Sequence, residues 1–209
     1  YFVPSLTQWK DDYEQAKIDR ALAKQKAIKE SDDAGHVIEN EEETKNYEVG
    51  KDEWKRRYHL VITAQTREGL GNLFTLIKRA YTEGFYRYPR IDFNLLKQHS
   101  RGLNVSTACL GGIYSNRIMR GNAMKRSDEE IQQELMMLSD RFVDAVGEEN
   151  FYLELQFNRL KQQHLVNHHL LRHADQTGIQ CISTPDSHYY SPDKWEAREL
   201  YKKLGWMGS

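Results

Sequence analysis

A carboxylate and an imidazole stand two residues apart at Asp186 and His188, inside the stretch Q-C-I-S-T-P-D-S-H-Y-Y-S over residues 180–191. The stretch opens as a short apolar strand over residues 181–184. It breaks at Pro185, which has no N–H to give to a sheet ladder. Two such side chains on a loop leaving a strand can converge on one point, and in α/β proteins metal and catalytic sites are built there. The chemistry on offer is cation binding or proton transfer. Asp-x-His alone fits any loop; a strand before it and a capped helix after it sharpen the signal. The competing reading is a turn in which Asp186 bonds the backbone and His188 packs against Tyr189. A second cluster, His164, His168, His169 and His173, gives two i, i+4 pairs, a spacing that can bind zinc. It lacks the glutamate of an H-E-x-x-H site. His164 and His168 fall opposite Leu170 and Ala174, on an expected solvent face. Cys181 reads as core, and Met136 and Met137 as ordinary core filling.

The elements that must position these residues alternate. A strand is expected over residues 59–64. A helix follows over residues 67–83 with Leu70, Leu73, Phe74, Ile77 and Tyr81 on one stripe. A short helix over residues 93–99 is closed by Gly102, and a strand covers residues 103–107. Ser127 with Glu130 forms a capping box that opens a helix to Val146. A strand over residues 151–156, a helix over residues 160–177 ending at Gly178 and a strand over residues 179–184 complete the run. Ser191, Pro192 and Asp193 start a last helix with Gly205 past its end. Such alternation predicts an α/β fold with a parallel sheet or barrel.

Residues 9–29 read as a highly charged helix with a thin apolar face, stopped at Gly35, and residues 39–43 form an acidic run in a solvated loop. The 209 residues suffice for one domain with a core. The net charge of −1 announces no nucleic-acid partner. Two cysteines imply no disulfide framework, and no apolar run is long enough to span a bilayer, so a reducing cytoplasm is the expected setting. The chain reads as a fragment of a longer protein, since its first residues look like mid-strand.

Six blocks, in order, resemble the PHP domain (polymerase and histidinol phosphatase) of bacterial C-family replicative DNA polymerases, the polymerase III alpha subunit group. T-P-D-S-H-Y is similar to that family's T-N-D-x-H-Y, and Y-H-L-V-I-T-A from Tyr58 to its H-L-x-L-L-A strand. The segment from Glu68 to Leu73 resembles E-G-Y-x-N-L. A-Y-T-E-G-F-Y from Ala80 with P-R-I-D from Pro89 resembles A-Y-x-E-G-F-Y-x-x-P-R-I-D. The segment from Gly102 to Leu110 resembles G-L-I-A-L-S-G-C-L, and N-F-Y-L-E-L-Q from Asn150 the F-Y-L-E-L-Q strand. Even Y-F-V-P at the start is similar to the tail of the family's G-x-E-A-Y-x-x-P strand.

The resemblance implies the later part of a distorted (β/α)7 barrel. Residues 1–4 would end an upstream strand, residues 5–57 would be a charged insertion, and residues 58–209 the C-terminal portion of the domain. It also implies metal ligands at His59, Cys109, Asp186 and His188, about half of a set that holds two or three ions. Cys109 follows a strand and precedes Gly111 and Gly112, where a strand-end ligand belongs. Its alternative is a small buried apolar residue. His59 lies at the start of its strand. Imidazole, carboxylate and thiolate together suit Zn, Mn or Fe. Glu154 would line the barrel with no ligand role. Arg90, with Arg87 near it, is a candidate for holding a substrate phosphate, against a surface salt bridge as the plainer reading. The implied reaction is metal-assisted phosphoester hydrolysis with Asp186 and His188 at its centre, as 3′–5′ exonuclease proofreading on the primer end of DNA. Implied partners are the rest of the polymerase chain, with sliding clamp and other replisome subunits. The alternative is a non-catalytic scaffold that stabilises the polymerase and docks a separate exonuclease. A free-standing phosphatase is a third reading, disfavoured by the blocks at Ala80 and Pro89.

Overall fold

Three residues at the start of the chain are held as extended backbone between two distant segments. Phe2 exchanges backbone hydrogen bonds with Tyr58 at 2.8 and 2.9 Å, and Ile91 bonds Tyr1 and Val3 at 3.0 Å. The computed structural model describes residues 1–33 and 56–207. The acidic run at residues 39–43 and the Gly35 stop lie outside these residues. The strands are β1 (Val61–Ala64), β2 (Leu103–Ser106), β3 (Phe151–Gln156) and β4 (Cys181–Thr184), in the sheet order β1-β2-β3-β4. The helices are α1 (Leu6–Asp33), α2 (Arg67–Glu83), α3 (Phe93–Gln98), α4 (Ile113–Ala123), α5 (Asp128–Val146), α6 (Lys161–Thr177) and α7 (Trp195–Met207). This is a mixed α/β fold. The chain divides into two compact units, one of Tyr1–Val105 with Ser139–Phe151 and one of Ser106–Leu138 with Tyr152–Ser209.

The first unit is built on aromatic packing. Phe142 lies 4.7 Å from Phe93, edge to face, and 4.7 Å from Phe151, stacked, with Phe2 at 5.4 Å. These rings are buried, as are Leu96 and Leu103. Large rings bury the most apolar area per residue, so this cluster is the unit's main hydrophobic term. Asp92, also buried, caps α3 by accepting from Leu95 N at 3.0 Å, and its other oxygen accepts from Leu6 N at 2.9 Å. One carboxylate thereby fixes the starts of two helices. The charged helix α1 is anchored by its first turn, where Leu6 and Trp9 are buried, while Ile18 and Leu22 face solvent.

Helix α2 keeps its expected bounds but not its expected face. Gly69, Leu76 and Ala80 are buried, whereas Leu70, Phe74, Ile77 and Tyr81 are exposed. Small residues at 69 and 80 let the backbone pack closely, and the wide stripe is turned outward. Part of it lines an apolar cavity of about 140 Å³ with Tyr1, Leu60, Ile62 and Ile91.

In the second unit β3 and β4 pair in parallel, with Glu154 opposite Ile182 and Gln156 opposite Thr184. Strand β3 is buried almost throughout, whereas β4, last in the sheet order, alternates exposed and half-buried residues. Cys181 is therefore exposed rather than core. The capping box on α5 forms as expected: Ser127 Oγ accepts from Glu130 N at 3.2 Å, and Ser127 N donates to the Glu130 carboxylate at 2.7 Å. Its buried stripe runs through Ile131, Leu135, Leu138 and Phe142, which leaves Met136 and Met137 exposed rather than filling the core. Helix α6 ends where Gly178 takes a left-handed φ of 77°, which glycine adopts without steric cost. Helix α4, not expected from the sequence, packs against α6, with the Tyr114 ring 6.3 Å from that of His173, and buries Ile113, Tyr114 and Ile118. Pro192 opens a short 3-10 turn before α7, and Gly205 lies inside α7 rather than past its end.

Candidate metal centre

The loop after β2 carries Cys109 on a tightly folded backbone. Ala108 is buried at a φ of 60°, which costs a non-glycine residue energy. The Cys109 carbonyl is captured twice, by Gly112 N at 2.8 Å and by Ser115 Oγ at 3.0 Å. A Cβ at Gly112 would sit 2.1 Å from the Thr107 carbonyl oxygen, so the turn requires glycine there. The half-buried Cys109 sulfur accepts a bond from Gly111 N at 3.4 Å. Burial first, then the negative charges of Asp186 and Glu154, push its thiol above the usual cysteine value, opposed by the Gly111 bond. The thiol rests protonated, and a bound cation is the kind of charge that draws such a proton off.

The loop after β4 carries the other two. Asp186 takes a φ of 45°, a left-handed conformation that aspartate tolerates better than most residues. Its carbonyl faces His188 Nδ1 at 2.8 Å, so Nδ1 carries the proton and donates. That bond fixes the tautomer and leaves Nε2 as the free lone pair, which is how ligating histidines are prepared. The side chains of Asp186 and His188 are exposed.

Between the two loops, at the level of the sheet, stands Glu154 of β3, 5% exposed. It accepts from Ser106 Oγ, from Thr184 Oγ1 at 2.6 Å and from Gln156 Nε2 at 3.1 Å. Its own N–H donates to Thr107 Oγ1 at 2.8 Å.

The charge of Asp186 thus reaches Cys109, and His188 is tied to the backbone of Asp186. Among the described residues, no three His, Cys, Asp or Glu side chains form a group that could hold a metal ion. The donor types fit a borderline metal, but they do not close around a common point. His59 belongs to the first unit, exposed, with its ring 5.5 Å from that of Tyr1. Arg90 is 2% exposed. Its guanidinium donates to the carbonyls of Tyr86 and Tyr88, both at 2.8 Å, and lies 4.6 Å from the Trp9 ring. Burial and these carbonyls commit it to the fold, which is not the surface salt bridge of the plainer reading. Arg87 lies 5.7 Å from the Tyr86 ring.

The histidines of α6 divide by face. His164 and His168 are exposed as expected. His169 and His173 are buried on Gln132, whose amide donates to the His169 carbonyl at 3.0 Å and whose oxygen lies 3.1 Å from His173 Nδ1. They are satisfied core residues.

The PHP domain family matches residues 10–158 of this chain. The chain belongs to this family. The DNA polymerase III subunit alpha of Aquifex aeolicus (strain VF5) is 37% identical over 152 residues, 72% of this chain and 12% of that protein. Its counterpart from Helicobacter pylori (strain ATCC 700392 / 26695) is 34% identical over 149 residues, 71% of this chain and again 12% of the relative. That from Chlamydia trachomatis serovar D is 35% identical over 158 residues, 68% of this chain. The chain therefore spans about one eighth of the length of the curated relatives it matches. The PHP match includes Cys109 and Glu154 and stops before Asp186 and His188. Among the described residues, no helix is long and apolar enough to cross a membrane.

Proposed function

We propose that this chain is part of the PHP domain of a replicative DNA polymerase in the cytoplasm, and that the domain hydrolyses phosphoesters as a 3′–5′ exonuclease. The observation that supports this most directly is the preparation of His188. Its Nδ1 is spent on the Asp186 carbonyl, which leaves Nε2 for a ligand, on the loop that also carries the Asp186 carboxylate. Cys109, Asp186 and His188 would hold Zn, Mn or Fe ions, two or three in the complete site, the remaining ligands coming from elsewhere. Such ions, when bound, lower the pKa of coordinated water and offset charge on a phosphodiester. The chain's own contribution is positional. The positive-φ backbones at Ala108 and Asp186 shape the two loops, and the Nδ1 bond sets the imidazole. The substrate would be the primer 3′ end. The rest of the polymerase chain, a sliding clamp and other replisome subunits would be partners.

One observation favours a second reading, a scaffold that stabilises the polymerase and docks a separate exonuclease. Asp186 and His188 are exposed, and no metal-holding group closes among the described residues.

The test uses the full-length gene product on single-stranded DNA with Mn²⁺ or Zn²⁺. Asp186→Asn and His188→Ala are expected to lower 3′-end release about 100-fold or more while primer extension stays near wild type. Equal release by wild type and both variants would overturn the catalytic reading and leave the scaffold.

A further inference from the structure

A buried carboxylate is expensive unless it is paired or fully hydrogen-bonded. Among the described residues Glu154 has no cationic partner. Its donors are two hydroxyls and one amide, all neutral, and it lies in a buried strand whose opposite face carries Phe151, Leu153 and Leu155. Those donors come from three strands: Ser106 at the end of β2, Gln156 on β3 and Thr184 at the end of β4. Ser106 stands three residues before Cys109, and Thr184 stands two residues before Asp186. The carboxylate thus ties together the two strand ends from which the Cys109 and Asp186 loops leave.

We propose that Glu154 is a positioning residue of the candidate metal centre, fixing both loops at their roots and supplying a buried negative charge that favours a cation above it. This inference rests on the metal-site reading of Cys109, Asp186 and His188. It adds a residue whose oxygens are already occupied by donors and which is not itself a ligand. The geometry distinguishes it from ordinary core packing. An apolar residue of similar volume would fill the space, whereas only a two-oxygen acceptor can bridge Ser106 and Thr184 at once.

The experiment measures Mn²⁺ and Zn²⁺ binding to the full-length gene product by equilibrium dialysis, with melting temperature as the fold control. Glu154→Gln keeps the volume but removes the charge and one of the two acceptor oxygens. It is expected to weaken metal binding about 10- to 100-fold with little change in melting temperature. Thr184→Val cuts one leg of the bridge and should weaken binding by a smaller factor. The double variant should bind no worse than Glu154→Gln alone, because Thr184 acts through the same carboxylate. Wild-type affinity in Glu154→Gln overturns the proposal, as does strict additivity in the double variant. If Glu154→Gln fails to fold, Thr184→Val decides alone, and wild-type affinity there overturns it. Asp186→Asn separates the two levels. Loss of binding in Asp186→Asn with none in Glu154→Gln refutes this inference only. Undiminished binding in Asp186→Asn refutes the metal-site reading beneath it, and this inference with it.

Discussion

Phe142 in the first unit and Glu154 in the second are both buried, but they hold their surroundings by different forces. Phe142 touches three other rings and depends on area and fit, which are non-directional. Glu154 touches two hydroxyls and an amide and depends on the angle and distance of each bond. The first arrangement tolerates small shifts and stabilises strongly. The second tolerates little and stabilises modestly, but it fixes where two loops begin. Stability and positioning are thus assigned to different parts of this molecule.

Three measurements would sharpen or break that contrast. The largest effect is expected from Phe142→Ala, which empties the ring cluster and should lower the unfolding free energy by about 3–5 kcal/mol in urea titration. A loss below about 1 kcal/mol would mean that the cluster is not the main stabilising feature of its unit. Asp92→Ala comes next. Asp92 is the first unit's own buried carboxylate, and losing its bonds to Leu6 and Leu95 should cost about 1–2 kcal/mol. No change in metal binding should accompany it, in contrast to Glu154→Gln. The smallest effect concerns His169. Burial depresses its pKa, with Asp128 opposing and His168 and Arg172 adding to the depression. A depressed imidazole favours folding when neutral. Its contribution is complete above the unfolded value of about 6.5 and is lost as pH falls through the folded value. Melting temperature should therefore drop between pH 7 and 5, and His169→Gln should flatten that slope. An unchanged slope in the variant would assign the acid sensitivity to other groups.

Much of the fold was legible because periodicity and caps agree. The bounds of α2 and β3 are as expected, and α5 and α6 begin and end within a residue of expectation. Helix α4 escaped notice because I-Y-S-N-R-I-M-R-G-N-A mixes β-branched, Ser, Asn and Gly residues of low helix propensity, and burial of Ile113, Tyr114 and Ile118 supplies what propensity does not. The face of α2 was read from where its large apolar residues lie, whereas packing followed its small ones. At the site, residue types pointed to Asp186 and His188, and the family resemblance added Cys109. The tautomer of His188 and the bridge through Glu154 depend on distances that no spacing encodes. Alternation along F-Y-L-E-L-Q does put Glu154 and Gln156 on one face. It could not indicate that hydroxyls from two neighbouring strands would meet the carboxylate there. For Arg90 the surface salt-bridge reading fails because an arginine in P-R-I-D reads as surface charge, and only the fold reveals the carbonyls and the Trp9 ring that bury it.

The left-handed backbone at Asp186 has a consequence for how the loop is probed. Alanine in that position would erase the carboxylate and also resist the torsion, so any loss it produced would have two origins. Asparagine accepts the same torsion and keeps the shape, and glycine accepts it without a side chain. Comparing those two replacements separates what the oxygen contributes from what the turn contributes.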